Sequence, residues 1–186
     1  TSLAVWALNS DSELTYSADT GTTDANDASH RYGVEWNNHW VLGTHFLLDA
    51  DLAWTHARFA IHNATAAAGD EIPNAVPLVA LLRATARNFA GWTAALEGRY
   101  IGRYPAAQDG SVRAPSSFVT NLRIQRQVTS ALTLSADVLN LLNVSYYDIV
   151  YAQDYRVSPT APIEPNGTTV HPGEPRAVRL NVTMRF

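Results

Sequence analysis

The last stretch of the chain alternates strictly between two kinds of side chain. Val178, Leu180, Val182, Met184 and Phe186 are apolar, and Arg179, Asn181, Thr183 and Arg185 between them are polar. Successive side chains of a strand point to opposite faces, so the pattern predicts a strand within 174–186 whose two faces meet different solvents. The same period recurs upstream. Residues 3–17 set Ala4, Trp6, Leu8, Leu14 and Tyr16 against Asn9, Asp11, Glu13 and Thr15. Residues 31–40 set Tyr32, Val34, Trp36 and Trp40 against Arg31, Glu35, Asn37 and His39. Residues 45–55 set Phe46, Leu48, Leu52 and Trp54 against Asp49, Asp51 and Thr55. Further strands are predicted over 79–87, 92–103, 118–128 and 132–138, the last running on into 139–151. That makes eight strands, all of period two, and the expected class is all-β.

Between these strands, long and short connections take turns. Residues 19–30, 59–77, 104–117 and 152–173 are long and rich in Gly, Pro, Asp, Asn or Thr, whereas 41–44, 88–91 and 129–131 are tight turns. The order implies an antiparallel up-and-down meander. Both ends of the chain fall on the short-turn side. In outer-membrane barrels that side is periplasmic and the long loops face outward.

A meander with one apolar face fits a lipid-facing barrel, and it also fits a soluble lipocalin-like barrel with that face inward. The distribution of charge and aromatics favours lipid. The apolar face of the predicted strands carries one charge, Arg126, close to a turn, while the opposite face carries at least one on every strand. Trp6, Trp36, Trp40, Trp54 and Trp92 are all assigned to the apolar face, mostly near strand ends, as expected of interfacial girdles.

Composition narrows the function classes. There is no Cys, so neither a disulfide nor a Cys metal site is available. The net charge of −4 comes without a basic cluster, which argues against nucleic acid. All 13 cationic side chains are Arg, as a GC-rich genome would give. No run approaches the ~20 apolar residues of a membrane helix, and no leader-like segment opens the chain.

The segments HRYGVEW (30–36), LLDADLAWTHARF (47–59), EIPNAVP (71–77), DVLNLLNVSYYDI (137–149) and HPGEPRAVRLNVTMRF (171–186) resemble the C-terminal barrel of TonB-dependent outer-membrane receptors. The resemblance runs in order along essentially the whole chain. It implies a bacterial outer-membrane barrel of about 22 strands around an N-terminal plug, with substrate held by extracellular loops and the plug apex. Uptake would be driven by the TonB complex. It further implies that the strand ending at Phe186 is read by the barrel-assembly machinery. With room for about eight strands and no plug or TonB box, residues 1–186 are expected to be the last third of such a receptor or a truncated gene product. Taken alone, such a piece is expected to aggregate or to force its first strand against its last.

Candidate chemistry is sparse. Asp49 and Asp51 share a strand face as an acid pair would, but they read better as lumen charges answered by Arg on neighbouring strands. The six His lack metal-ligand spacing, and Ser lacks a nucleophile elbow, so no catalytic residue, metal or cofactor is expected. The N-x-S/T matches at Asn63, Asn143, Asn166 and Asn181 are chance in this setting. Arg83, Arg87, Arg99, Arg103 and Arg123 fall on consecutive strands facing the lumen. They are candidates for contact with the plug or an anionic substrate, or else members of a salt-bridge lattice with Asp49, Asp51, Glu97 and Asp137. Ligand recognition is expected in the long loops, whose composition identifies no ligand; the resemblance implies a ferric siderophore first, with cobalamin, haem, nickel or a saccharide as alternatives. The leading expectation is a transporter fragment for a ferric siderophore or similar scarce nutrient. The alternatives are a self-contained eight-stranded outer-membrane barrel with a structural or adhesive role, and a soluble lipocalin-like binder.

Overall fold

The computed structural model describes residues 1–17, 21–60 and 69–185. In chain order the strands are β1 (Ser2–Ser10), β2 (Glu13–Ser17), β3 (Thr22–Asn26), β4 (Ser29–Leu42), β5 (Phe46–Phe59), β6 (Leu78–Phe89) and β7 (Trp92–Ile101). They continue with β8 (Tyr104–Pro105), β9 (Arg113–Ala114), β10 (Ser117–Gln127), β11 (Leu132–Leu139), β12 (Tyr147–Tyr155), β13 (Glu164–Pro172) and β14 (Ala177–Met184). Eight of them form one sheet in the order β1-β4-β5-β6-β7-β10-β11-β14, every neighbouring pair antiparallel. The other six make three two-stranded ribbons, β2–β3, β8–β9 and β12–β13, each inside a long connection. The sheet is open, because β1 pairs only with β4 and β14 only with β11.

The alternating segments therefore become the wall of a barrel, with three corrections. The strand expected over 3–17 breaks after Ser10. Ser10 Oγ donates to the Ser12 carbonyl (2.7 Å), Ser12 Oγ to the Asn26 carbonyl (3.0 Å), and the Glu13 N–H to the Asp27 carbonyl (3.1 Å). These bonds turn β2 out of the sheet and onto β3, with Leu14 opposite Ala25. The run expected through 139–151 also breaks. Asn140 (φ 48°) and Asn143 (φ 52°) adopt left-handed conformations that Asn tolerates better than other side chains, so β11 stops and β12 leaves the wall. Finally, β7 ends at Ile101, which puts Arg103 in the following connection rather than on the lumen face.

Register fixes which side each residue takes. Trp36 stands opposite Leu3 and Leu52, and Val34 opposite Val5 and Trp54. The apolar face of β1 is thus Leu3, Val5 and Ala7, and Trp6 lies on the other face, opposite Gly33. This overturns the expected interfacial placement of Trp6. Gly33 makes room for the ring: a Cβ there would sit 2.7 Å from Trp6 Cζ2. On every other wall strand the expected faces hold. Phe186, expected as a membrane-interface aromatic on the periplasmic rim, lies outside the described residues.

The wall has almost no core. The buried apolar side chains, among them Phe59, Ile72, Tyr104, Ala114, Val119 and Val150, collect at the long-loop end. One cluster joins Ala57 and Phe59 of β5 to Ile72, and another joins Tyr104, Ala106, Ala114 and Val150 across two ribbons. Away from that end the apolar face stands open, with Leu82 54% and Leu180 78% exposed.

Candidate functional site

The polar face of the wall is laid out in cross-strand rows. His39, Asp49, Arg83, Glu97 and Asn121 stand directly opposite one another on β4, β5, β6, β7 and β10. A second row places Arg123, Asp137 and Arg179 on β10, β11 and β14. Within each row neighbouring charges differ in sign, so each finds an opposite charge within reach across the ladder. Arg83 binds Glu97 through Nε (3.0 Å) and Nη2, and Asn121 donates to the other Glu97 oxygen (3.4 Å). Asp137 takes Arg123 (3.5 Å) and Asn181 (3.0 Å), while Arg179 turns aside to chelate Glu174 (2.9 and 3.0 Å). Asp49 is held by His39, so the arginine expected to answer it has chosen Glu97 instead. These pairs are largely exposed and contribute ~0–1 kcal/mol each.

The five predicted arginines separate. Arg83 and Arg123 line one 340 Å³ hollow together with Glu97 and Asp137. Arg99 lines an adjoining 160 Å³ hollow with Glu97, Asn140, Tyr146 and Glu174, and has no ion pair among the described residues. Arg87 sits at the short-turn end, where its backbone and the His45 backbone and ring close the turn. Its Nε is buried without a hydrogen-bond partner among the described residues. Arg103 is exposed beyond β7.

Above the wall the loops pack into a cap whose key residue was not singled out from the sequence. Glu71 is 8% exposed and holds two guanidinium groups, one oxygen taking Arg58 of β5 and the other Arg113 of β9. Asp70 stands 3.6 Å from Arg58. The Glu71 N–H donates to the Gln108 carbonyl (3.1 Å) and the Asn74 N–H to the Pro105 carbonyl (2.8 Å), which zips the connection after β5 to the one after β7. EIPNAVP is therefore an anchor: Glu71 ties, Ile72 fills the core at 2% exposure, and Asn74 turns at φ 63°.

DVLNLLNVSYYDI works similarly on the far side. Buried Asn140 donates to the Val144 and Glu174 carbonyls (2.9 and 3.1 Å) and accepts from the Val144 N–H (3.0 Å). It joins the exit of β11 to the entry of β14. Tyr16 of β2 meets Tyr151 of β12 with ring centroids 5.4 Å apart. Within the cap, burial raises the pKa of Tyr104, against the lowering effect of its hydrogen bond with the Val150 backbone. Hydrogen bonds from Ser111 lower that of Asp109.

On the apolar face the aromatic side chains form two bands. Tyr32, Trp54, Tyr100 and Phe118 lie toward the long loops, with Tyr32 edge-on to Trp54 at 5.8 Å. Trp40, Phe46, Phe89 and Trp92 lie toward the short turns, and Trp36 packs on Trp40 at 6.2 Å. Arg126 lies over the Trp92 ring, 5.0 Å from its centroid. Among the described residues no group of three His, Cys, Asp or Glu could hold a metal ion.

An open, two-faced meander with long ribbons at one end and tight turns at the other defines a segment of outer-membrane receptor barrel. The family model for the TonB-dependent receptor-like β-barrel matches residues 1–141, and the chain belongs to that family. As such it is an outer-membrane protein. Solved structures agree on the fold. The ferric citrate transporter FecA superposes with a TM-score of 0.76 at 17% identity, over 99% of this chain and 28% of that one. The ferric-catecholate import receptor Fiu of E. coli K12 gives 0.73 at 18%, over 99% and 25%. The copper transporter OprC gives 0.69 at 19%, over 99% and 30%. The chain thus spans less than a third of the length of these receptors. No curated protein matches it.

Proposed function

We propose that residues 1–186 are the C-terminal part of the barrel of a TonB-dependent transporter that imports a ferric siderophore or a similarly scarce nutrient. The observation carrying this reading is the split between a polar wall laid out in charged rows and a packed cap of long ribbons at one end only. In such a receptor the apolar face meets outer-membrane lipid, and Trp36, Trp40, Trp54 and Trp92 lie at its interfaces. The wall rows face the plug, and the ribbons bind the nutrient. Ferric citrate and ferric-catecholate receptors among the structural neighbours favour iron; the copper transporter OprC keeps another metal cargo in play. The open edges of β1 and β14 call for further strands, since unpaired backbone groups in lipid cost several kcal/mol each.

On this reading Arg99, a polar-face cation that lines a hollow and has no ion pair among the described residues, is the strongest candidate for contact with the plug or an anionic substrate, and exposed Arg103 the next. Arg83 and Arg123 are already occupied by Glu97 and Asp137. The test is uptake of radiolabelled ferric siderophores by iron-starved cells that carry the complete receptor, its deletion, or the double variant Arg99→Gln/Arg103→Gln. Deletion should abolish uptake of one siderophore class, and the double variant should lower it with the barrel intact. Full uptake of every ferric chelate by the deletion strain would overturn the iron reading. Full uptake by a folded double variant would overturn the role of the arginines.

A further inference from the structure

By register, the apolar face of the described wall strands carries two charged residues, one at each end, and no acid. Arg58, at the long-loop end, is neutralised within the protein by Glu71 and Asp70. Arg126, at the short-turn end, is not. Its register neighbours are Trp92 on one side and Leu134 on the other, it is exposed, and its side chain makes no ion pair or hydrogen bond among the described residues.

The Arg126 guanidinium lies over the Trp92 ring, its central carbon 5.0 Å from the ring centroid. A guanidinium is planar, and one seated over a ring still offers its N–H groups as a fork that matches two phosphate oxygens. The stack also holds the side chain in place, which lowers the entropy lost when an anion binds. Beyond Trp92 the exposed rings of Phe89, Phe46 and Trp40 continue along the short-turn end of β6, β5 and β4, as a headgroup-level belt requires.

We propose that Arg126 and Trp92 form a binding site for the headgroup phosphate of an anionic phospholipid in the periplasmic leaflet. A zwitterionic headgroup brings its own cation and would leave the charge of Arg126 uncompensated, whereas a headgroup of net negative charge neutralises it. The inference rests on the apolar face being the lipid face, as argued under the proposed function.

The test uses the complete receptor in nanodiscs of mixed phosphatidylglycerol and phosphatidylcholine, released for native mass spectrometry so that retained lipids are counted. Wild type should retain phosphatidylglycerol over phosphatidylcholine by about fivefold, the weight of one cation at a membrane surface. R126Q, with heat-modifiable gel migration intact, should lose that preference. Excess inorganic phosphate should leave the wild-type preference in place, because a free anion lacks the acyl chains that hold the headgroup at the belt. Equal retention of the two lipids by wild type, an unchanged preference in folded R126Q, or displacement by free phosphate would each overturn the site. Should R126Q fail to fold, raising the salt concentration on wild type gives the same reading: a preference that survives high salt is not made by this charge. Failure of the lipid-face reading looks different, since wild type would then carry neither lipid.

Discussion

The wall and the cap of this protein are built from the same kind of strand and held together by different physics. In the wall, backbone ladders run unbroken from β1 to β14, but the apolar side chains have nothing of the protein behind them; Leu180 and Val182 are 78% and 67% exposed. In the cap, short ribbons enclose Phe59, Ile72, Ala114 and Val150 as a water-soluble domain would, and a buried carboxylate clamps two arginines. A hydrophobic core gains by removing apolar surface from water. A lipid-facing wall gains nothing that way until lipid surrounds it. On the proposed reading the cap carries its own stability, and the wall borrows most of its own from the membrane and from neighbouring strands.

The largest expected effects test that division directly. Ile72→Ala removes a side chain that is 2% exposed, and should destabilise the cap by about 3 kcal/mol, read as faster protease cleavage between β5 and β10 with barrel heat-modifiability retained. If the barrel melts together with the loops, cap and wall are one cooperative unit and the comparison fails. Leu82→Arg acts on the wall instead. Its cost should be roughly 2–4 kcal/mol for folding into a bilayer, with cap protection unaffected. Leu82 is already 54% exposed, so a variant that folds into vesicles as well as wild type would deny that this face meets lipid. Glu71→Gln comes next. It strands Arg113 and leaves Arg58 the Asp70 carboxylate at 3.6 Å; the two arginine side chains are 33% and 34% exposed, so water screens part of the loss and about 2 kcal/mol remains. The readout is again protease sensitivity of the loops.

This contrast also explains what was legible in the sequence. All eight wall strands could be read, because two faces in different surroundings impose a period of two, whose phase was misread only on β1. Trp6 was misassigned because Leu3, Val5 and Ala7 are as apolar as Ala4, Trp6 and Leu8; with both phases apolar, the partner strand decides, and Gly33 accepts the ring. The ribbons were half legible: β2 and the first part of β12 fell inside alternating runs, but nothing local showed that they leave the sheet. β13 contains Pro165, Gly167 and Pro172, residues that normally argue against a strand, and β3 lies in a polar stretch with turn composition. Glu71 was invisible as a clamp because its partners lie 13 and 42 residues away. The charged rows were half legible: alternation placed the charges on one face, but the choice of Glu97 by Arg83 and of Glu174 by Arg179 depends on register and rotamer.

Within the wall, Arg123→Gln should have little effect on stability. Arg123 is 57% exposed and 3.5 Å from Asp137, which retains Asn181 as a donor, so the loss should stay below about 1 kcal/mol in a denaturant titration of the refolded receptor. A loss several times larger would mean that the rows hold the wall together rather than merely balancing its charge.

The smallest effect expected is confined to alkaline pH and belongs to the cap alone. Tyr104 is 7% exposed, packed with Ala106, Ala114 and Val150, and burial raises its pKa above the ordinary 10.0. The folded cap therefore holds the phenolic proton more tightly than the unfolded chain does. The stabilisation this proton provides is present below pH 10 and is lost as pH climbs through the raised folded value, because the unfolded state gives up its proton first. Replacing Tyr104 with Phe should leave cap stability independent of this ionisation. The difference between wild type and Tyr104→Phe, followed by loop proteolysis at stepped pH, should stay flat up to about pH 10 and then move against wild type. A difference that drifts between pH 6 and 9 would point to another titrating group in the cap. One that never moves would mean that the Val150 backbone compensates for the burial, leaving the cap looser around its tyrosine than its packing implies.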